Sequence, residues 1–233
     1  MKLFDILRNK ISLVSKNYEK LQDVDNGEKE IEKSPEIYVH VEVDEKTHEK
    51  TTFKYADDGS CQIYTEPDDF VNNFYNLSEI IGSGKYSISE RLEACEKSLV
   101  MLPEMCRYWI EETNDSPPPI INCRDYGVEL NMRIGDWENA LRVINLCIDV
   151  KAYDQEEGKI MLEYFYAYRS VAEIACSYIA EHPGCLQKDM YKVLVYEEDD
   201  KEVLKHFLRC SLQIRKEKYS STNKLFINND IIV

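Results

Sequence analysis

Residues 182–226, HPGCLQKDMYKVLVYEEDDKEVLKHFLRCSLQIRKEKYSSTNKLF, pass from helical to strand periodicity with two interruptions, and few chain geometries accommodate that order. Leu186, Met190, Val193 and Leu194 recur at helical spacing and predict a helix over 186–194 with these residues facing inward. Gly184, just before it, suits the left-handed position that ends the preceding helix. Glu197 to Asp200 place four acids where the N-terminal dipole of a second helix favours negative charge. In that helix Leu204, Phe207, Leu208 and Ser211 share one side. Lys201, Lys205 and Arg209 recur every fourth residue on another, spanning roughly 80° of arc at about 100° per residue. Leu212 and Ile214, then Lys224, Phe226 and Ile227, flank a turn-prone run at 220–223, as the strands of a hairpin would.

Taken together, HPGCLQKDMYKVL, KEVLKHFLRCSLQIRKEK and NKLFI resemble a winged helix-turn-helix, by order and spacing and not by an invariant motif. The resemblance implies that Lys201, Lys205 and Arg209 face a DNA groove. It also implies that Arg215, Lys216, Lys218 and Lys224 sit on a wing that touches phosphates. One feature departs from a duplex reader: EEDD stands at the mouth of the reading helix, where phosphates would be close. Some winged helices bind only protein, and fold alone does not decide function. Two expectations follow. One is a non-catalytic regulator or adaptor that contacts DNA, with a homodimer on two half-sites as one form of it. The alternative is a protein–protein interaction scaffold that binds no nucleic acid.

Charge weighs on that choice. The chain has 233 residues, enough for one sizeable core or two small domains, and carries −15 from 44 acids against 29 bases. From Pro183 onward there are nine bases and eight acids, or +1, which leaves −16 on the first 182 residues. Counterion release rewards clustered cations, so general coating of nucleic acid is disfavoured. A local basic patch on an acidic body is compatible with the numbers, as is a basic partner. No apolar run approaches the roughly eighteen residues that span a bilayer. In MKLFDILRNKISLV, Asp5, Arg8, Asn9 and Lys10 interrupt any leader-like apolar core. A cytoplasmic chain with no membrane partner is expected. The eight cysteines form no CxxC pair and read as small buried hydrophobes. Cys176, His182, Cys185, His206 and Cys210 contain HxxC and HxxxC spacings, but they fall on different predicted elements, so no metal and no cofactor are assigned.

The remainder reads as three further segments. In residues 1–34, Leu3, Ile6, Leu7, Ile11 and Val14 give an amphipathic helix suited to docking on protein, followed by a polar linker at 26–36. Residues 35–66 form a small β-meander. Ile37, Val39, Val41 and Val43 alternate onto one face, and Asp57-Asp58-Gly59 marks a hairpin. Such a meander needs a helix over one face, and its His40 and His48 are assigned structural or solvent roles. Residues 67–153 turn helical. GSGK at 82–85 fails as a phosphate loop: no strand precedes it, Glu79 replaces the first glycine, and Tyr86 replaces the magnesium-binding hydroxyl residue. Ser87 or Ser89 caps a long helix that Pro103 bends or breaks.

Residues 120–150 predict a helix pair hinged at Gly135-Asp136. Its second helix, through Gly135, Trp137, Ala140, Ile144 and Cys147, resembles the second helix of a tetratricopeptide repeat. The preceding helix departs from that motif at Arg124, Gly127, Val128 and Asn131. Residues 154–233 constitute the winged helix-like domain, led by a helix over 156–182 with a stripe from Met161 through Phe165 and Tyr168 to Ile179. The expected fold is mainly α, with a small N-terminal antiparallel β-meander and helical hairpins before a C-terminal winged helix-like unit. No Rossmann glycine pattern, HExxH or paired nucleophile and histidine appears, so no catalytic residue is assigned.

Overall fold

The computed structural model of the protein describes residues 38–56, 58–113, 120–194 and 198–229. The amphipathic segment and linker expected at 1–34 lie outside them. Elements follow in the order β1 (Tyr38–Asp44), β2 (Glu49–Tyr55), β3 (Cys61–Pro67), α1 (Asp69–Gly82), α2 (Ile88–Thr113), α3 (Asn122–Ile134), α4 (Trp137–Asp149), α5 (Gln155–Glu181), β4 (Cys185–Leu186), α6 (Gln187–Leu194), α7 (Glu198–Cys210), β5 (Ile214–Tyr219) and β6 (Thr222–Ile227). The chain is mainly helical with an N-terminal three-stranded antiparallel sheet, as its periodicities predict. It divides into two compact units, one ending at Asn73 and the other beginning at Phe74, so the division falls inside α1.

In the first unit β1, β2 and β3 form the meander. Gly59, at φ +80°, turns the chain between β2 and β3, and the Asp58 carboxylate accepts the Ser60 N–H at 2.8 Å. The expected burial of the valine face is not found. Val39, Val41 and Val43 are 49%, 44% and 53% exposed. The register explains why: these valines lie beside Lys54, Thr52 and Lys50, and then Gln62, Tyr64 and Glu66. Tyr38, His40, Phe53, Tyr55 and Ile63 occupy the opposite face. Alternation in one strand is not shared by its neighbours, so neither face is uniformly apolar.

The foot of the meander is clasped. His48, buried and at φ +55°, hydrogen-bonds the Asp68 carboxylate at 2.8 Å and stacks on Phe70 at 4.9 Å. The other Asp68 oxygen accepts the Val71 N–H at 2.9 Å and so caps α1. His48 is therefore structural, through a partner twenty residues away in sequence.

In the second unit Ser87 and Glu90 cap α2 reciprocally: the Glu90 N–H donates to Ser87 Oγ at 3.2 Å, and the Ser87 N–H to the Glu90 carboxylate at 2.7 Å. Pro103 lies inside α2 without ending it. Leu99, Leu102 and Met105 of α2, Val128 and Leu130 of α3, and Val143, Ile144 and Cys147 of α4 are buried and supply the core of this part. Gly135, at φ +86°, ends α3, and Asp136 caps α4 by accepting the Asn139 N–H at 3.1 Å.

Asp154 then caps α5 by accepting the Glu157 N–H at 2.7 Å. Beyond α5, β4, β6 and β5 form an antiparallel sheet in that spatial order, with β5 and β6 joined through Ser220-Ser221. Leu186, expected to begin a helix, lies instead in β4, where it pairs with Lys224. The β4–β6 pairing claims its backbone groups, and the Gly184 N–H extends the ladder by donating to the Leu225 carbonyl at 2.8 Å. In α6, Met190 is buried as expected, but Val193 is 48% exposed.

Candidate interaction surface

The shape of the C-terminal region follows from one side of α7. Val203, Leu204, Phe207, Leu208 and the following Ser211 are buried, and the Phe207 ring meets Tyr168 of α5 edge-on at 5.8 Å. Three turns of helix held this way must present the opposite side outward. Lys205 and Arg209 are exposed there and Lys201 is half-buried, so the ridge read from the sequence points away from the core.

That ridge is not a row of bare cations. Helical phase puts Glu202 at the edge of the arc of the three bases, and it ion-pairs with Lys205. Arg209 donates to His206 Nδ1 at 3.2 Å, which requires a neutral imidazole at that nitrogen. His206 also meets the Tyr168 ring edge-on at 5.8 Å, and burial, reinforced by the Arg209 charge, holds its pKa below the ordinary histidine range. The first turn of α7 contributes Glu198, Asp199 and Asp200.

On the hairpin the four expected bases divide between two faces. Strand alternation puts Lys216 and Lys218 on the side of the buried Ile214 and Leu225. Lys216 Nζ reaches back to donate to the Arg209 carbonyl at 3.2 Å, satisfying a backbone acceptor in the last turn of α7. Burial lowers its pKa. Lys218 is exposed near the tip. Arg215 and Lys224 lie on the outer face: Arg215 stands 4.6 Å from the Phe226 ring and ion-pairs with Glu217, and Lys224 stands 4.5 Å from the Tyr219 ring, in register with that same Glu217. The seven bases thus divide among a ridge, a helix cap, an outer sheet face and the hairpin tip.

The base of this region is fastened to the α3–α4 turn. Arg133 Nε donates to the Cys210 carbonyl at 3.1 Å, and the Leu212 N–H donates to the Arg133 carbonyl at 2.9 Å. Gln213 packs on Gly135 so closely that a Cβ there would lie 2.6 Å from its Oε1. Asn228 closes the junction, donating to the Leu212 carbonyl at 2.9 Å from its side chain and to the Gln213 carbonyl at 2.8 Å from its backbone. Local spacing in the sequence gives no sign of this fastening, because its partners are about eighty residues apart along the chain.

Other candidate chemistry resolves into packing. Arg124 is buried, donates to the Ala152 carbonyl at 2.6 Å, ion-pairs with Asp125 at 2.7 Å and lies 4.7 Å from the Tyr153 ring. It thereby ties α3 to the chain leading into α5. Burial pushes the thiols of Cys95 and Cys147 up to about 12 and that of Cys106 to about 11, which keeps them protonated among hydrophobic neighbours. Among the described residues no three His, Cys, Asp or Glu side chains are arranged to hold a metal ion. No described helix is long and apolar enough to cross a membrane. No protein-family model matches the chain, and no curated protein or solved structure matches it either.

Proposed function

We propose that the chain is a non-catalytic adaptor whose C-terminal part is a winged helix used to dock a protein partner. The order α5, β4, α6, α7, β5, β6, with the sheet arranged β4-β6-β5, supports the winged-helix reading. So does the packing of α7 on α5 through Phe207 and Tyr168. The α3–α4 hairpin, with Gly135 at its turn and Ala140, Ile144 and Cys147 buried along α4, supports the likeness to a tetratricopeptide hairpin, here acting as the mount for the winged unit.

The observation that carries protein over duplex as the partner is the intramolecular use of the cations. Lys205 and Arg215 are paired with Glu202 and Glu217, and Lys216 caps α7. A phosphate would have to displace these contacts at a helix whose first turn is acidic. Exposed ion pairs are individually weak, so the balance of charge along the helix matters more than the strength of any one pair. The thirteen residues of α7 contain four acids, Glu198, Asp199, Asp200 and Glu202, against the three bases Lys201, Lys205 and Arg209.

The test is to remove the neutralising acids. Glu202→Gln with Glu217→Gln is expected to create salt-sensitive duplex affinity in a protein that otherwise has none. Strong duplex binding by the unaltered chain would overturn the reading. DNA is the second reading, favoured by the exposure of Lys205 and Arg209 one turn apart on the side of α7 away from its core. It predicts that replacing Lys201, Lys205 and Arg209 by Glu abolishes binding of the unaltered chain to duplex.

A further inference from the structure

A groove of about 370 Å³ runs between α5 and the end of α6, lined by Glu173, Ile174, Ser177, Tyr178, Glu181 and Leu194. Five of these six come from one stripe of α5, at the four-residue spacing that stacks side chains along a helix. The helix α6 has only eight residues, of which Met190 is the buried one, and among the described residues none beyond Leu194 covers this side of α5. The floor is apolar and open, with Ile174 54% exposed. Tyr178 is held in place by stacking on His182 at 4.5 Å. Glu173 and Glu181 stand at either end, eight residues apart and so about 12 Å along the helix axis. Glu173 already accepts from Arg169 at 2.7 Å, which shows that its carboxylate can take a guanidinium in this setting.

We propose that this groove seats a basic amphipathic helix of a protein partner. Its apolar side chains would lie against Ile174, Tyr178 and Leu194, and its Lys or Arg side chains toward Glu173 and Glu181. The proposal deepens the adaptor reading and rests on it. Charge complementarity selects this occupant. The groove lining contains two carboxylates, of which Glu173 is shared with Arg169, and no cation, and the chain as a whole carries −15. That field draws a cationic segment toward the chain and opposes nucleic acid or an anionic lipid surface. An apolar floor between charged rims is the arrangement by which a groove reads an amphipathic helix at i, i+3, i+4 and i+7. The groove lies on the first and second helices of the C-terminal region and uses none of the bases of α7 or the hairpin, so the two surfaces can be separated by substitution.

The test uses the full chain and a fluorescently labelled Leu/Lys peptide with helical periodicity, with a Leu/Glu peptide of the same pattern for comparison. The Leu/Lys peptide is expected to bind and the Leu/Glu peptide not to. Glu173→Lys with Glu181→Lys, and separately Ile174→Ser, are each expected to weaken binding at least tenfold. Glu156→Lys with Glu163→Lys, which reverses two exposed acids elsewhere on α5, is expected to change it less than threefold. All five positions are solvent-exposed, and circular dichroism checks that the variants fold. If the reversal at 156 and 163 weakens binding as much as that at 173 and 181, or if Ile174→Ser has no effect, attraction is to the acidic body at large and the groove is not the site. Random duplex DNA titrated into the same samples keeps the two readings distinguishable. A chain that binds neither probe loses the groove but keeps the adaptor reading. A chain that ignores the peptide and takes up duplex loses both.

Discussion

The protein contains two three-stranded antiparallel sheets of opposite character. In β1-β2-β3 every residue of the two outer strands is exposed, and the aliphatic side chains of β1 share their face with lysines and a glutamate. In β4-β6-β5 Leu225 of the central strand is fully buried, Ile214 nearly so, and Lys216 turns back to cap a helix. Both kinds of strand alternate in sequence, yet only the second sheet has a buried row. What separates them is cross-strand agreement: burial needs apolar residues in register on adjacent strands, with an element to cover them.

Chemical reactivity gives the largest contrast between the two regions. Cys61 opens the exposed β3, whereas Cys147 is fully buried with its thiol pushed up to about 12. A rise from the ordinary 9 to about 12 alone cuts the thiolate fraction roughly a thousandfold, before any steric protection. Alkylation followed by mass spectrometry should label the exposed Cys61 far faster than the buried Cys147. Comparable rates would mean that the helical core opens freely.

Stability should divide in the same way. Leu225→Ala removes a fully buried side chain from the C-terminal sheet and should cost about 2–5 kcal/mol. Val41→Ala, at a position 44% exposed, should stay within about 0.5 kcal/mol. Urea unfolding of the two variants measures the difference, and equal losses would show that the meander has a covered face after all.

Gly135 offers a sharper test of how the C-terminal sheet is held. Gly135→Ala places a side chain at φ +86°, at a cost of about 1–2 kcal/mol, and drives its Cβ against Gln213. Combining it with Gln213→Ala should recover the contact penalty and leave the backbone penalty. Full recovery would indicate that the left-handed turn is not under strain.

The smallest effect is electrostatic. The pKa of His206 is depressed by burial and by Arg209, so the unfolded chain binds the proton more readily than the folded one. Its neutral form contributes stability that is complete above the unfolded value near 6.5 and is lost as pH falls through the lower folded value. Denaturation midpoints should therefore decline on acidification below about pH 6.5, and His206→Asn should flatten that part of the profile. An unchanged slope would remove His206 from the account.

Helices were legible in the sequence wherever one stripe dominated. The phases of Leu204, Phe207 and Leu208, and the long stripe from Phe165 to Ile179, correspond to the buried sides of α7 and α5. Turn chemistry was legible too, at Gly59 and Gly135, both at positive φ; Gly184 has positive φ as well, but α5 is capped at His182 and Gly184 serves the turn into β4. What local pattern could not supply was pairing at a distance. Leu186 satisfied a helical stripe but is claimed by β6, and His48 found its carboxylate only when the meander closed. The candidate ridge on α7 is exposed at Lys205 and Arg209 and half-buried at Lys201, and Glu202 beside it and the return of Lys216 to the Arg209 carbonyl change what it presents. The α5–α6 groove had no signature, because it depends on where a short helix stops.

The most direct measurement is the binding of the intact chain to labelled random duplex DNA at two ionic strengths. If the cations of α7 and the hairpin are committed within the protein, affinity should be negligible at both, with no slope against salt. Tight binding whose logarithm falls with log salt by about 0.9 per phosphate contact, over several contacts, would contradict the account.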